Sequence, residues 1–372
     1  MIYNKYTLKE LATIRYGKNQ KNVVSSDGSF PIYGTGGLMG YASKYLYDKP
    51  SVLIGRKGTI DKVRYVTHPF WTVDTLFYTE INDAIVIPHF LYYVLSLLDL
   101  RKYNEGTSIP SLRTETLNRL ELYIPPLSEQ KKILSFIEPI EEKIDINSRI
   151  NRNLLEQAFS MVNEWEVNEQ DHIGYEKVED VAELNPESYS SKDDWGFVNY
   201  LDTSSITEGT ISEFTYIVPS EEKLPSRAKR KLKCKDIVYS TVRPNQKHYG
   251  FIREPVKNML ASTGFVVVRA KSSRVCSELL YLLITRDLVT EKMQQIAEGS
   301  TSTFPSIKPS DLGAYEIPVP QTSCNMKLIE GLSSIFECIH ANQKENQELV
   351  ELRDSLLPKF MSGELDVSNL DI

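Results

Sequence analysis

Side chains able to present two hydrogen-bonding atoms at once gather in two places along this 372-residue chain. Arg56, Lys57, Thr59, Lys62 and Arg64 follow the β-branched run Ser51-Val52-Leu53-Ile54, and Arg243, Asn245, Gln246 and Lys247 follow Ile237-Val238-Tyr239. Guanidinium and amide groups of this kind read the edges of nucleic-acid bases, usually from loops or helix starts. Lys229, Arg230 and Lys231 lie in a run that holds seven basic residues between Lys223 and Lys235. They suit phosphates, where charge matters more than geometry. Thr107 and Ser108, and Ser300 and Ser302, sit in Gly/Ser/Thr stretches whose hydroxyls can reach phosphate oxygens.

Catalytic chemistry is not legible. No Asn/Asp-Pro-Pro-aromatic run of a methyltransferase appears, and Glu141-Glu142-Lys143 and Glu221-Glu222-Lys223 lie in helical or basic contexts unlike a nuclease site. Gly34-Thr35-Gly36-Gly37 lacks the lysine of a phosphate loop and reads as a turn. The five histidines are scattered, and the four cysteines lack zinc or redox spacing, so neither metal nor catalytic residues are expected. The first residues do not read as a signal peptide, and the longest apolar run is broken by Pro88 and His89. A cytoplasmic protein with no membrane partner is the expectation. The net charge of -7 opposes phosphate binding if spread evenly, but residues 1–125 carry 15 Lys and Arg against 11 Asp and Glu. The acidic excess lies largely in the helical and tail segments.

The chain is also a repeat of itself, with a period of about 190. Pro110-Ser111-Leu112-Arg113 returns as Pro305-Ser306-Ile307-Lys308, an offset of 195 that continues through Leu117 with Leu312 to Pro125 with Pro320. Upstream, an offset of 188 pairs Thr75 with Thr263, Phe77 with Phe265 and Tyr93 with Tyr281. Leu8, Leu11 and Ala12 answer Val178, Val181 and Ala182 at 170. On this reading Arg56 and Arg243 end equivalent strands. The fold expected is α/β: two pseudo-repeated units, joined and separated by two long helices that form an antiparallel coiled coil with pseudo-two-fold symmetry. The boundaries expected are a first recognition domain over 1–126, a spacer helix over 127–165, a second domain over 166–321, and a second helix with its tail over 322–372.

The helices carry apolar or small residues at 3/4 spacing: Ile133, Ile137, Ile140, Ile144, Leu154, Ala158 and Met161 in the first, and Leu328, Leu332, Ile335, Ile339 and Leu349 in the second. Asn147 and Asn151 interrupt one seam, and Asn342 and Asn346 the other. Asparagine on such a seam lowers stability and fixes register. Ser128 and Ser323 are the expected N-caps, and Pro139 should kink the first helix. About 35 residues at ~1.5 Å each span about 50 Å, more than the ~34 Å of one DNA turn, which suits a split recognition site.

Four segments resemble a known family: Tyr33-Gly34-Thr35-Gly36-Gly37 with Tyr41; Val52-Leu53-Ile54-Gly55-Arg56-Lys57-Gly58-Thr59; Pro125-Pro126-Leu127-Ser128-Glu129-Gln130; and Leu352 through Glu364, with its Pro358-Lys359-Phe360-Met361-Ser362-Gly363 core. Together they are similar to the specificity subunits of type I restriction-modification systems, over essentially the whole chain. The resemblance implies a non-catalytic subunit whose two target recognition domains each read half of a bipartite site in double-stranded DNA. It implies docking of two modification (methyltransferase) subunits on the helices, and two restriction subunits in the full complex. No cofactor is expected on this chain; S-adenosylmethionine belongs on the modification subunit, and ATP and Mg on the restriction subunit. The second helix departs from the pattern, opening on Thr322-Ser323-Cys324-Asn325 where the first has Leu127-Ser128-Glu129-Gln130. The alternative is a duplicated-domain adaptor that binds other proteins through its coiled coil; it should lack salt-dependent DNA binding.

Overall fold

In the computed structural model, residues 3–190, 192–271, 274–300, 304–321 and 326–368 are described. The chain divides into two compact units, Met1–Asp145 with Gln347–Ile372, and Ile146–Asn346.

The first unit opens with β1 (Asn4–Thr7), α1 (Leu8–Leu11) and β2 (Ala12–Tyr16), followed by β3 (Phe30–Gly34), β4 (Gly37–Ala42), β5 (Ser51–Gly55), β6 (Val63–Val66), β7 (Trp71–Thr72) and β8 (Leu76–Ile81). Then come α2 (Pro88–Ser96), α3 (Thr114–Asn118), β9 (Glu121–Ile124) and the long α4 (Leu127–Asn168). The strands make a four-stranded sheet in the order β2-β8-β5-β6, a smaller sheet β4-β3-β7, and the ribbon β1-β9. All five residues of β5 are buried, because the sheet is covered on both faces. Val52, Ile54 and Phe77 face a core built with α2 and with Ile133, Leu134 and Ile137 of α4. Leu53, Leu76 and Tyr78 face the other way, against Phe70.

The second unit repeats this plan with β10 (Ile173–Lys177), α5 (Val178–Val181), β11 (Ala182–Leu184), β12 (Val198–Leu201), β13 (Ile206–Thr207), β14 (Thr210–Ile211), β15 (Thr215–Ile217) and β16 (Ala228–Lys231). It continues through β17 (Asp236–Ser240), β18 (Tyr249–Ile252), β19 (Met259–Ser262), β20 (Phe265–Ala270), α6 (Ser277–Ile284), α7 (Asp287–Glu298), α8 (Pro309–Gly313) and β21 (Glu316–Pro320). The final helix, α9 (Met326–Ser362), runs on into the first unit. The sheets β11-β20-β17-β18 and β15-β12-β19-β16 and the ribbon β10-β21 match their counterparts strand for strand, apart from the added β16. The parallel pairing of β3 with β7 is answered by that of β12 with β19.

Strand register corrects one step of the repeat. Ala12 pairs with Ile81 and Ala182 with Ala270, so the matching residues of β8 and β20 are 189 apart, where matching letters had given 188. In a strand that single residue exchanges the two faces. Phe77 packs toward the helices, whereas Phe265 packs with Leu201 and Val238 on the opposite side; the counterpart of Phe77 is Val266.

The long helices are antiparallel. In the first unit, Phe136 stacks on Phe360 with ring centroids 5.8 Å apart, and Glu141 meets Arg353 at 3.7 Å. In the second, Asn147 donates to Asn346 Oδ1 at 2.9 Å and Glu345 Oε2 at 2.7 Å, and Asn342 donates to Asn151 Oδ1 at 2.8 Å. Asn147 is 1% exposed, so these amides answer one another inside the seam and little water reaches Asn147. The first helix runs unbroken through Pro139 from Leu127 to Asn168. Ser128 is not its N-cap: the helix starts at Leu127, and the Pro126 carbonyl accepts from Glu129 N at 2.9 Å and Gln130 N at 3.0 Å. Ser323 lies outside the described residues, as does Ser302.

Two of the four quoted segments prove structural. Gln130 is fully buried; its amide donates to the carbonyls of Ile85 (2.9 Å) and Pro125 (2.8 Å), and its oxygen accepts from Ile87 N (2.8 Å). It clips α4 to the entrance of α2. In the Leu352-to-Glu364 segment, Leu357 and Phe360 enter the first unit's core, and Tyr3 donates to the Phe360 carbonyl at 2.5 Å. Gly363 adopts a φ of +79°, and a Cβ there would lie 2.9 Å from the Tyr3 ring.

Candidate nucleic-acid interface

A loop after β5 and a loop before α3 are tied together in the first unit. Leu112 N donates to Arg56 O at 2.9 Å, Gly58 N donates to Pro110 O at 2.9 Å, and Lys57 bridges Ser111. Asn104 Oδ1 accepts from Gly106 N and Ser111 N, both at 2.9 Å, which closes the loop carrying Thr107 and Ser108. The second unit builds the same clasp. Ile307 N donates to Thr241 O at 2.9 Å, Arg243 N donates to Pro305 O at 2.9 Å, and Val242 bridges Ser306. Here Ser300 Oγ accepts from Ser306 N at 3.4 Å, the role Asn104 has in the first unit. The recurring Pro-Ser-Leu/Ile segment is therefore one half of a loop clasp, and its partner is the loop that carries the candidate base-reading side chains.

These bonds correct the pairing of the two arginines. The carbonyl that closes the clasp belongs to Arg56 in one unit and to Thr241 in the other, and Arg243 matches Gly58. The units carry their arginines two positions apart on the same scaffold.

The arrangement sorts the candidates by how committed they are. Arg64 is exposed on β6, its guanidinium 5.4 Å from the Tyr33 ring centroid; Arg243 is likewise exposed, 5.2 Å from Phe304. Stacking on a ring orients a guanidinium and leaves its edge donors available for a planar acceptor pair. Arg56 also lies over a ring, Tyr16 at 5.2 Å, but its Nη1 donates to the Asp74 carbonyl at 2.7 Å. Lys57, Thr59, Lys62, Thr107 and Ser108 are exposed around the first clasp.

In the second unit, Arg243 and Lys247 hold left-handed φ values of 47° and 53° on either side of the turn Pro244–Gln246, with Asn245 and Gln246 exposed at its tip. Such values cost a non-glycine residue of order 1 kcal/mol and cluster at functional loops. Asn245 N donates to Gln294 Oε1 at 3.2 Å, which anchors the turn to α7. Lys247 is already engaged, 2.8 Å from Asp287 and 3.3 Å from Glu208, and these contacts, Asp287 first, hold its ammonium well above the usual lysine range.

The basic run over 223–235 is less available than its letters imply. Lys231 pairs with Asp193 and lies 5.6 Å from the Trp195 ring, Lys233 pairs with Glu187, and Lys235 meets the buried Glu278 at 2.9 Å. Burial lowers the Arg230 pKa below the usual arginine value, and its Nε has no hydrogen-bond partner among the described residues. Of the three residues assigned to phosphate, Lys229 is the exposed one.

Composition gave no hint of Thr35. The Gly34-to-Gly37 stretch is the tight turn of the β3–β4 hairpin, and it lies at the clasp: Thr35 Oγ1 is 3.9 Å from where a Gly58 Cβ would stand. Arg64 Nη2 is 3.2 Å from the corresponding point at Gly37, whose φ is +119°. The signal available was the glycine pattern beside an aromatic residue.

Among the described residues, no group of three or more His, Cys, Asp or Glu side chains could hold a metal, and no helix is long and apolar enough to cross a membrane.

A family described as "Type I restriction modification DNA specificity domain" matches residues 3–156 and 173–351. The chain is 22% identical to the MjaVIII type I restriction enzyme specificity subunit of Methanocaldococcus jannaschii, over 96% of this chain and 92% of that one. It is 29% identical to the HindI specificity subunit of Haemophilus influenzae over 38% of its own length, which spans only 31% of that relative. The crystal structure of a type I restriction-modification S subunit from M. genitalium shares the fold, with a TM-score of 0.54 at 18% identity over 96% of both chains. Two copies of the family's domain, each carrying the loop clasp, therefore place the chain in the type I restriction-modification specificity subunit family, whose members are non-catalytic DNA-recognition subunits.

Proposed function

We propose that each unit reads one half of a bipartite target in double-stranded DNA, with the loop clasps as the reading surfaces. The observation that carries the reading is the repetition of the clasp with different side chains on it: Arg56, Lys57 and Thr59 in one unit, Arg243, Asn245 and Gln246 in the other. A common scaffold with different reading groups is what two unlike half-sites require. Arg64 and Arg243 supply bidentate contacts to base edges, each about 1–3 kcal/mol of discrimination. Lys57 and Lys62 add further contacts at base edges, and Lys229 with the hydroxyls of Thr107, Ser108 and Ser300 supplies phosphate contacts.

The α4–α9 pair fixes the register of the assembly through its asparagines and carries two modification subunits, which hold S-adenosylmethionine. Two restriction subunits with ATP and Mg complete the cytoplasmic complex. The domain bounds are those drawn above: readers over 1–126 and 166–321, a helix over 127–165, and a second helix with its tail over 322–372. Exchanging residues 1–126 for those of a relative of different specificity tests the reading: one half-site should change and the other persist, and a change in both would contradict it.

A further inference from the structure

The first unit also carries an apolar feature that its own fold does not use. Leu38, Met39 and Tyr41 of β4 are 54%, 59% and 45% exposed, and none of them packs into the apolar clusters of the unit. Their presentation is built in. The hairpin pairs Ile32 with Gly40 and then Tyr33 with Leu38, which leaves Met39 as the extra residue of a β-bulge. Bulges re-aim side chains and recur beside functional sites. The Met39 sulfur lies 2.3 Å from where a Gly34 Cβ would stand, so only glycine at 34 lets the thioether rest there. Gly36 and Gly40 would meet nothing within 4 Å, so the backbone itself is open to a close neighbour.

Resting on the DNA-reading assignment above, we propose that this bulged hairpin is an apolar reading finger. It enters the major groove and sets Leu38 and Met39 against thymine methyl groups. Three observations favour DNA over a protein partner. The turn lies against the clasp, with Thr35 beside Gly58, so the finger is continuous with the candidate interface. Arg64, exposed and free of ion pairs among the described residues, stands at its turn beside Gly37. β4 is also the edge strand of the β4-β3-β7 sheet, so its side chains can be offered to a major groove about 12 Å wide, where the thymine methyl is the apolar mark of an A·T pair. The second unit lacks this device: where β3 and β4 join by a two-residue turn, β12 and β15 are separated by the β13–β14 excursion. The finger thus distinguishes one half-site from the other.

The test uses the full chain co-expressed with its neighbouring methyltransferase subunit, and duplexes carrying the mapped target with thymine or deoxyuridine in the half-site assigned to the first unit. The wild-type complex should bind the deoxyuridine duplex about fourfold more weakly for each contacted methyl. The Leu38→Ser/Met39→Ser variant should bind the thymine duplex at least about tenfold more weakly and no longer tell the two duplexes apart, with an unchanged dependence of affinity on salt because no cation is lost. Its melting temperature should match wild type, since both side chains are exposed. Wild-type affinity or undiminished thymine discrimination in the variant overturns the proposal. So does a first half-site without A·T pairs, or intact DNA binding with lost methyltransferase association, which would make the hairpin a protein-docking surface. Absence of salt-dependent DNA binding by the wild-type complex is a different result: it removes the DNA-reading assignment itself, and the finger with it.

Discussion

Gln130 permits a quantitative forecast. Replacing it by alanine removes three hydrogen bonds of 2.8 to 2.9 Å from a fully buried position and leaves Ile87 N–H and the Ile85 and Pro125 carbonyls without that partner. Each buried polar group so stranded costs about 1–3 kcal/mol, and the vacated volume adds to this, so about 3–5 kcal/mol is expected after partial rescue by water. That is a large fraction of the roughly 5–15 kcal/mol that holds a domain together. Native-state hydrogen exchange reports it directly, because the Ile87 amide is one of the three bonds. Its exchange should accelerate by about two decades or more, with amides of α6 in the second unit little changed. Gln130→Met, which keeps the volume, should recover the void contribution but not the stranded groups. An acceleration below about fivefold, together with loss of methyltransferase binding, would refute the structural role and make the Pro-Pro-Leu-Ser-Glu-Gln segment a docking surface.

Asn147→Leu should lower stability by about 1–3 kcal/mol in denaturant titrations, because Asn346 and Glu345 lose their donor, whereas Asn147→Leu with Asn346→Leu should recover much of that loss while weakening register. Arg64→Ala should weaken binding to the cognate duplex by about 1–3 kcal/mol, and Arg64→Lys should restore the salt dependence but not the base discrimination; Lys247→Ala should leave affinity unchanged, because Asp287 and Glu208 already hold that ammonium. His89 is stacked between Tyr65 and Tyr93 with Glu138 at 2.9 Å and Glu141 at 3.3 Å; burial opposes its charge, but the two carboxylates outweigh that and raise its pKa. Burial likewise opposes ionisation of Glu141, and its neighbours, His89 first, still leave its pKa lowered. The histidine's contribution to folding is therefore complete below about pH 6.5 and is lost as pH rises through its raised folded value, while that of Glu141 is present above about pH 4.3 and lost as pH falls. Thermal melts should show the first unit losing stability from about pH 6.5 upward in wild type and much less in His89→Gln.

The repeat, the helices and the strands β5 and β17 with the polar loops after them were legible because each leaves a linear trace: recurring letters, 3/4 spacing, and polar residues after a β-branched run. What escaped depends on geometry between distant segments. Matching Phe77 to Phe265 by letter missed their opposite faces, which only strand pairing fixes. The basic run over 223–235 read as free charge because Asp193, Glu187 and Glu278 come from other strands, loops and helices. Ser128 looked like a cap by type, but the Pro126 carbonyl takes the first helical bonds. The turn at Thr35 gave no reason to be placed beside Gly58, since 22 residues and two strands lie between them.

The most direct test of the central claim is long-read mapping of methylated adenines on DNA from cells expressing this chain with its neighbouring methyltransferase subunit. The account predicts one split motif with a fixed non-specific spacer, absent when this chain is deleted, whose one half alone degenerates in Arg64→Ala and whose other half alone degenerates in Arg243→Ala. Methylation that is independent of the chain, or a motif that loses both halves with either single substitution, would contradict it.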